Sequence, residues 1–181
     1  MKFNLTSFLI ATVSSVCVFA GGMSGGGGNV INPTPPKHVS SPDRVDNMIE
    51  KAFHQLPGFL KLQEQRMKNG EMDPSAASIY ASIFEGAPNI FQAMKNRKLH
   101  IEEDKNCYNS FGVPYDASII APEPNSVCIS AFSISKKVAI DEISAQVSAL
   151  LVHEYSEVKG LNDEQAITIQ ELVLSDIKNF F

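Results

Sequence analysis

The chain has 181 residues, a formal net charge of −5 and a hydrophobic content of 44%. This composition is that of an ordinary globular protein and excludes a fibrous or wholly disordered chain. It contains no cluster of basic residues, so we expect no nucleic-acid partner.

The N-terminus has the pattern of a secretory signal. Lys2 supplies a positive charge, the run from Phe8 to Phe19 is almost wholly apolar, and Ala20 is a small residue before a cleavage point. The run is shorter than the roughly 20 residues that a membrane-spanning helix needs. We therefore expect residues 1–20 to be a signal peptide. The mature protein is then periplasmic or secreted, has no stable membrane span, and carries 14 basic residues against 20 acidic ones.

The cysteine count agrees with export. Cys17 leaves with the signal, and the mature chain keeps Cys107 and Cys128. A pair of cysteines in an exported protein predicts a disulfide. Closing a loop of this length would stabilise the fold by about 3 kcal/mol on the chain-entropy model.

Residues 21–40 are rich in glycine and proline, including the runs GGMSGGGG and NPTPP. Such a segment buries little apolar surface, so we predict a disordered linker. Residues 41–181 then form one domain, because roughly 140 residues is the usual size of a single core.

The first part of this domain is predicted to be helical. Ser41-Pro42-Asp43 has the residue types that begin a helix. Pro57-Gly58 is expected to interrupt that helix, and a second one covers Phe59 to Lys68. A third helix begins at Asp73-Pro74 and ends before Gly86-Ala87-Pro88.

The middle of the domain changes to a strand pattern. Lys98 to Glu102, Ala117 to Ile120 and Val127 to Ile134 are the candidate strands. Because the segment Pro122–Asn125 has turn residues, we predict that the last two strands form an antiparallel pair.

Two helices follow. A stripe of apolar residues at helical spacing predicts the first, and Gly160 is its expected end. His153 and Glu157 are four residues apart on it, so their side chains project from the same face. Asn162 and Gln165 form a capping pair for a final helix from Asp163 to about Lys178.

The segment ALLVHEYSEVKGLNDEQA resembles the active-site helix of zincin metallopeptidases, whose pattern is H-E-x-x-H. It is more closely similar to small exported bacterial zincin-like proteins, which carry H-E-[FYL]-S-H-x-x-G and then an acidic stretch ending in E-x-A. The resemblance implies an α+β, mostly helical fold, with short antiparallel strands packed against an active-site helix and a C-terminal helix. The matching residues are Cys107, Asp116-Ala117-Ser118, Val127-Cys128-Ile129-Ser130, His153-Glu154-Tyr155-Ser156, Gly160 and Glu164-Gln165-Ala166.

The same resemblance implies a metal site. His153 would be a metal ligand, and Glu154 would be the general base that takes a proton from a metal-bound water. Glu157 stands where the family has its second histidine. The third ligand would be Glu164, which we prefer, or Asp163. The implied cofactor is zinc or another divalent ion.

Glu157 changes the expected chemistry. One imidazole and two carboxylates neutralise the charge of a divalent ion, so the ion withdraws less electron density from its bound water. The oxygen-rich ligand set also favours harder metal ions. We therefore expect a metal-dependent peptidase, weakened or degenerate, that acts on a peptide or protein as a monomer. The alternatives are a non-catalytic binding or scaffold protein of the cell envelope and a helical module unrelated to zincins.

Overall fold

The computed structural model describes residues 27–38, 40–119 and 126–178. The predicted signal (1–20), the first part of the predicted linker (21–26) and the predicted turn Pro122–Asn125 lie outside these residues. None of the described helices is both long enough and apolar enough to cross a bilayer. The helices are α1 Pro42–Lys68, α2 Pro74–Phe84, α3 Ile90–Met94, α4 Ala131–Lys137, α5 Ile143–Lys159 and α6 Asp163–Lys178; the strands are β1 Lys98–Glu102, β2 Cys107–Tyr108, β3 Pro114–Tyr115, β4 Ala117–Ile119 and β5 Ser126–Ser130.

Helix α5 lies at the centre of this α+β, mostly helical fold and packs against α1, α3 and α6. It is buried without a break from Ala145 to Ser156, because apolar residues occur on all its sides. It ends at Gly160, whose φ of 105° is left-handed. Helix α6 then begins at Asp163, after the reciprocal hydrogen bonds of Asn162 and Gln165. Both helix ends confirm the sequence prediction.

Helix α1 corrects the predicted break at Pro57-Gly58. It continues through Pro57 to Lys68 as one helix. Proline removes one hydrogen bond from a helix and favours a kink there. The helix nevertheless continues, because Leu56, Phe59 and Leu60 on either side of the proline are buried in the core. Tertiary packing thus outweighs the local preference.

The three-stranded sheet has the order β1-β5-β4. The antiparallel pairing of β4 with β5 confirms the predicted pair, with Ala117 opposite Ile129. Strand β1 runs parallel to β5, which corrects the expectation of antiparallel strands alone. The predicted strand Val127 to Ile134 is also too long. The hydroxyl of Ser130 accepts the N–H of Ser133 and starts α4 at Ala131.

A disulfide joins Cys107 on β2 to Cys128 on β5, with a Cα–Cα distance of 5.9 Å. This confirms the prediction from the cysteine count. The bond ties the small β2–β3 hairpin to the central strand of the main sheet.

Residues 27–38 of the predicted linker (residues 21–40) lie within the described part of the chain and contact the domain. Gly27 and Gly28 are buried, and residues 27–34 cross α5, β4 and α6 with a bend at Ile31 and Asn32, where the φ of Asn32 is 43°. We call residues 27–34 the strap. Such a polar segment has few apolar side chains to bury, and it is ordered because the domain supplies partners for its main-chain groups.

Candidate metal centre

The site lies where the C-terminal half of α5 meets the first turn of α6. His153 and Glu157 project from the same side of α5, as predicted, and Nε2 of His153 lies 4.0 Å from Oε1 of Glu157. Asp163 begins α6, and its Oδ1 lies 3.5 Å from the same nitrogen. One donor atom each from His153, Glu154 and Glu157 also lie within 4.8 Å of one another. The three clustered donors all lie on α5, and Asp163 from α6 approaches the same imidazole nitrogen.

The position of Asp163 bears on the choice of third ligand. Among the described residues, His153 has ion-pair contacts with Glu157 and Asp163 but not with Glu164. Adjacent residues on an α-helix are separated by about 100° around its axis, so only one of the two acids can face α5. Asp163 takes that position, and Glu164 is exposed to solvent. The geometry thus favours Asp163 over Glu164, the residue preferred from the sequence.

His153 is buried, and neither of its ring nitrogens makes a hydrogen bond with the described residues. Burial lowers the pKa of His153, while the charge of Asp163 and the nearby Gln170 side chain oppose that change. The neutral imidazole that results is the form that binds metal ions. Buried polar atoms without partners are uncommon in native proteins, so an absent ligand is a natural explanation for this one. The acceptor that commonly orients a metal-binding imidazole through Nδ1 is not found in the described part of the chain.

The two glutamates of the motif are held in an environment that disfavours their charge. Burial and, second to it, the charge of Glu157 raise the pKa of Glu154 to about 8, against the opposing effect of the backbone amides of Gly28 and Ile119. Burial, together with Asp163, raises the pKa of Glu157 to about 7. A divalent cation among these groups would favour their ionised forms. The donor set of one imidazole and several carboxylates therefore fits a divalent ion.

Glu154 itself lies beneath the strap. It is fully buried, and its Oε1 accepts a hydrogen bond from the N–H of Gly28 at 2.6 Å. A cleft of about 470 Å³ lies between the strap and the start of α6, and its lining includes His153 and Asp163. The side chain of Asp163 is 66% exposed, whereas those of His153 and Glu157 are buried. The arrangement covers the candidate base and leaves Asp163 as the exposed acid of the centre.

Three polar residues near the centre were not singled out from the sequence as functional. Gln146 and Gln170 are almost fully buried, and both bind main-chain groups of the strap. Each interrupts an apolar stripe, on α5 or α6, and that interruption is the signal that could have identified them. Asp116 appeared only within the resemblance. It is buried, binds Nζ of Lys137 at 2.6 Å, and accepts the N–H of Val30 at 3.0 Å.

No protein-family model, curated protein or solved structure matches the chain. The class of this protein therefore rests on its own fold and site. The described residues form an α+β, mostly helical domain in which a histidine and acidic side chains meet between two helices.

Proposed function

We propose that this chain is an exported zincin-like protein, and that its His153, Glu157 and Asp163 hold a divalent cation for peptide hydrolysis with Glu154 as general base. The observation that carries the proposal is the buried imidazole of His153. Its Nε2 has no hydrogen-bond partner among the described residues and lies 4.0 Å and 3.5 Å from the carboxylates of Glu157 and Asp163.

The spacing of these donor atoms supports a shared ion. Nitrogen and oxygen ligands lie about 2.0–2.2 Å from zinc, and two ligands at a tetrahedral angle are then about 3.4 Å apart. The distance from His153 to Asp163 is 3.5 Å. The distance from His153 to Glu157 is 4.0 Å, so a small rotamer adjustment of Glu157 would complete the set.

Each residue has a distinct part in the proposed reaction. A divalent cation, when bound, supplies a Lewis acid that polarises the peptide carbonyl and lowers the pKa of water. His153 binds through a neutral nitrogen, while Glu157 and Asp163 bind as carboxylates. Glu154 takes a proton from the attacking water and passes it to the leaving amine. Because two carboxylates neutralise a divalent charge, we expect slower hydrolysis than at a centre with two histidines.

Metal analysis of the purified protein tests the ligand set. We expect about one zinc or other divalent ion per wild-type chain and loss of that ion in His153→Ala. His54→Ala is the matched control, because His54 is exposed on α1, away from the centre. A wild-type protein with its disulfide formed that holds no divalent ion at micromolar concentrations would contradict the proposal.

A second pair of variants separates the two candidate acids. Asp163→Asn should weaken binding of the ion by roughly tenfold or more, whereas Glu164→Gln should leave it unchanged, because of these two acids only Asp163 contacts His153 among the described ion pairs. Metal titration with a competing chelator measures both. If Glu164→Gln instead weakened metal binding more than Asp163→Asn did, Glu164 would be the third ligand.

Glu157→His tests the residue that departs from the resemblance. It creates the two-histidine set of the H-E-x-x-H pattern, and we expect tighter zinc binding and faster hydrolysis. If the wild type holds no ion and this variant gains both zinc and activity, the chain is a member of the class that has lost its metal.

The alternative is a non-catalytic protein of the same class that acts as a binding or scaffold module in the cell envelope. The observation that favours it is the burial of Glu154 under Gly28, since a general base must reach water. Glu154→Gln separates the two. It removes the base but keeps an oxygen that can accept the Gly28 N–H. Abolished peptide cleavage supports catalysis, and a wild type without cleavage, unaltered by this change, supports the alternative.

A further inference from the structure

The strap meets the edge of the main sheet through one main-chain hydrogen bond. Strand β4 pairs with β5 on one side only, in the order β1-β5-β4. On its other side, the N–H of Ala117 donates to the carbonyl of Gly28 at 3.0 Å. An exposed strand edge binds an extended peptide through such main-chain bonds, as in proteins that add a ligand strand to a sheet. Here the added segment belongs to the chain itself.

The remaining contacts of the strap also go mostly to its main chain. Two buried glutamines and two acidic residues supply most of the partners, which lie on α5 and α6 and in the segments just before α5 and β4. The bonds are Gln170 Nε2 to the Asn29 carbonyl at 2.8 Å, Val30 N–H to Asp116 at 3.0 Å, Ile31 N–H to Gln146 at 3.3 Å, Gln146 Nε2 to the Ile31 carbonyl at 2.8 Å, and Thr34 N–H to Glu142 at 3.0 Å. Main-chain recognition of this kind is largely independent of the side chains of the bound segment.

Two positions are the exception, because they leave no room for a side chain. A Cβ atom on Gly28 would lie 3.1 Å from Oε1 of Glu154 and from Cδ2 of His153. A Cβ atom on Gly27 would lie only 2.5 Å from the ring of Tyr115. A side chain at Gly27 would clash with the ring of Tyr115, and one at Gly28 would force its neighbours to shift by a few tenths of an ångström, so both positions favour glycine.

The strap fills a cleft formed by the β4 edge, Gln146 and Gln170, which we call the strap cleft. We propose that the strap cleft binds peptides with two adjacent glycines opposite Tyr115 and Glu154, and that the strap is a built-in occupant that keeps it closed. The inference that such peptides are also substrates rests on the proposed function. Their binding does not depend on it. While the strap is in place, the N–H of Gly28 donates to Oε1 of Glu154, so this oxygen is not available to a water molecule.

The tethered strap competes strongly with any free peptide. A segment attached to its own binding site has an effective concentration in the millimolar range or above. We therefore expect the wild type to bind a free peptide of the same sequence weakly, with dissociation constants in the millimolar range. A chain whose strap no longer fits should bind that peptide at least about tenfold more tightly.

The test uses the full chain with Gly27→Val and Gly28→Val together. Both valines clash in the cleft, and the strap is expected to leave while the domain keeps its circular dichroism spectrum. The probe is a labelled synthetic peptide, GGNVINPT, identical to the strap. The matched peptide carries valine at both glycine positions. Gly58→Ala is the protein control, because nothing lies near the site of the added methyl group.

Fluorescence anisotropy with EDTA present measures binding. The double variant should bind the glycine peptide at least tenfold more tightly than the wild type or Gly58→Ala does, and it should not bind the valine peptide. Equal binding of both peptides, or binding of neither by a folded variant, would overturn the proposal.

Amide hydrogen exchange of the wild type keeps the proposal testable if the double variant does not fold. The N–H groups of Gly28, Val30 and Ile31 should exchange at least tenfold faster than that of Leu150 in α5, because the strap opens without global unfolding. Equal exchange rates would make the strap an inseparable part of the domain and overturn its role as a removable occupant.

The outcome is distinguishable from that of the proposed function. Peptide binding in EDTA requires no cation, so a protein that holds no metal can still pass this test. Conversely, if the protein binds metal at His153 but the double variant does not bind the glycine peptide, only the peptide-binding proposal is refuted.

Discussion

The strap and helix α5 are joined by hydrogen bonds from Gly28 to Glu154 and between Ile31 and Gln146, yet different interactions hold the two segments in place. Helix α5 is stabilised by burial, with Leu150, Leu151 and Tyr155 fully enclosed. The strap leaves several of its side chains exposed and is held by hydrogen bonds of its main chain. The comparison shows that the apolar residues of a helix already indicate in the sequence that the helix is buried. A polar segment such as the strap is instead held by hydrogen-bond partners elsewhere in the chain. Four experiments can break or sharpen this contrast.

The largest expected effect is the pH dependence of the free energy of unfolding of the metal-free protein. The pKa of Glu154 is raised from 4.5 to about 8, so its contribution to stability is fully present below about pH 4.5 and is lost as the pH rises through 8. Glu157 acts in the same direction. From pH 5 to 8 we expect Glu154 alone to lower the free energy of unfolding by roughly 3–4 kcal/mol and Glu157 by roughly 2–3 kcal/mol more, measured by urea denaturation in EDTA.

Glu154→Gln is the control for this slope, because it removes the titrating group and keeps an acceptor for Gly28. We expect most of the pH dependence to disappear in this variant. An unchanged slope would mean that Glu154 is ionised at neutral pH in the metal-free protein.

Leu150→Ala tests the burial that holds α5. Leu150 is fully buried, and we expect a loss of about 3 kcal/mol of unfolding free energy from lost transfer energy and the cavity left behind. Ile167→Ala is the control, because Ile167 is 39% exposed on α6 and should change stability by less than about 0.5 kcal/mol. Urea denaturation measures both variants. Similar losses would contradict the central position of α5.

Replacing both cysteines by serine tests the covalent link between the two sheets. The bond closes a loop with a sequence separation of 21, for which the chain-entropy model predicts about 3 kcal/mol or slightly less. We expect the midpoint of thermal unfolding to fall while the exchange of strap amides changes little, because the hydrogen-bond partners of residues 27–34 lie on other residues than the two cysteines. Faster exchange in residues 27–34 would instead connect the β2–β3 hairpin to the strap.

Gln146→Ala has the smallest expected effect on the whole domain and the most local one. It removes two hydrogen bonds to Ile31, with a net cost of about 1 kcal/mol. Exchange of the amides in residues 28–34 should rise several-fold, while that of α5 stays the same. Gln165→Ala is the matched control, because Gln165 caps α6 and does not contact the strap. Equal effects of the two glutamines on the strap would contradict its proposed anchoring.

Elements with strong local signals were predicted well from the sequence. Helix α6 begins at Asp163 and ends at Lys178, and strand β1 covers Lys98–Glu102, as predicted. A capping pair and a short apolar run lie within these segments or directly beside them, so the signal and the structure involve the same residues. The disulfide was predictable because the expected mature chain has only two cysteines.

Elements decided by distant contacts were predicted less well. The helix break at Pro57 did not occur, because the core holds both sides of the proline. The long strand from Val127 ends at Ser130, whose hydroxyl caps the next helix. Apolar β-branched residues fit a strand or a buried helix equally well, so the pattern alone did not separate the two.

The sequence by itself determined that His153 and Glu157 share one face of a helix, because a spacing of four residues fixes this through backbone geometry. Only the tertiary structure decided that Asp163 rather than Glu164 faces His153, because that depends on how α6 packs against α5. It also decided that Gly28 covers Glu154. A glycine-rich segment has no side-chain pattern of its own, so its position depends on hydrogen-bond partners that only the folded domain brings together.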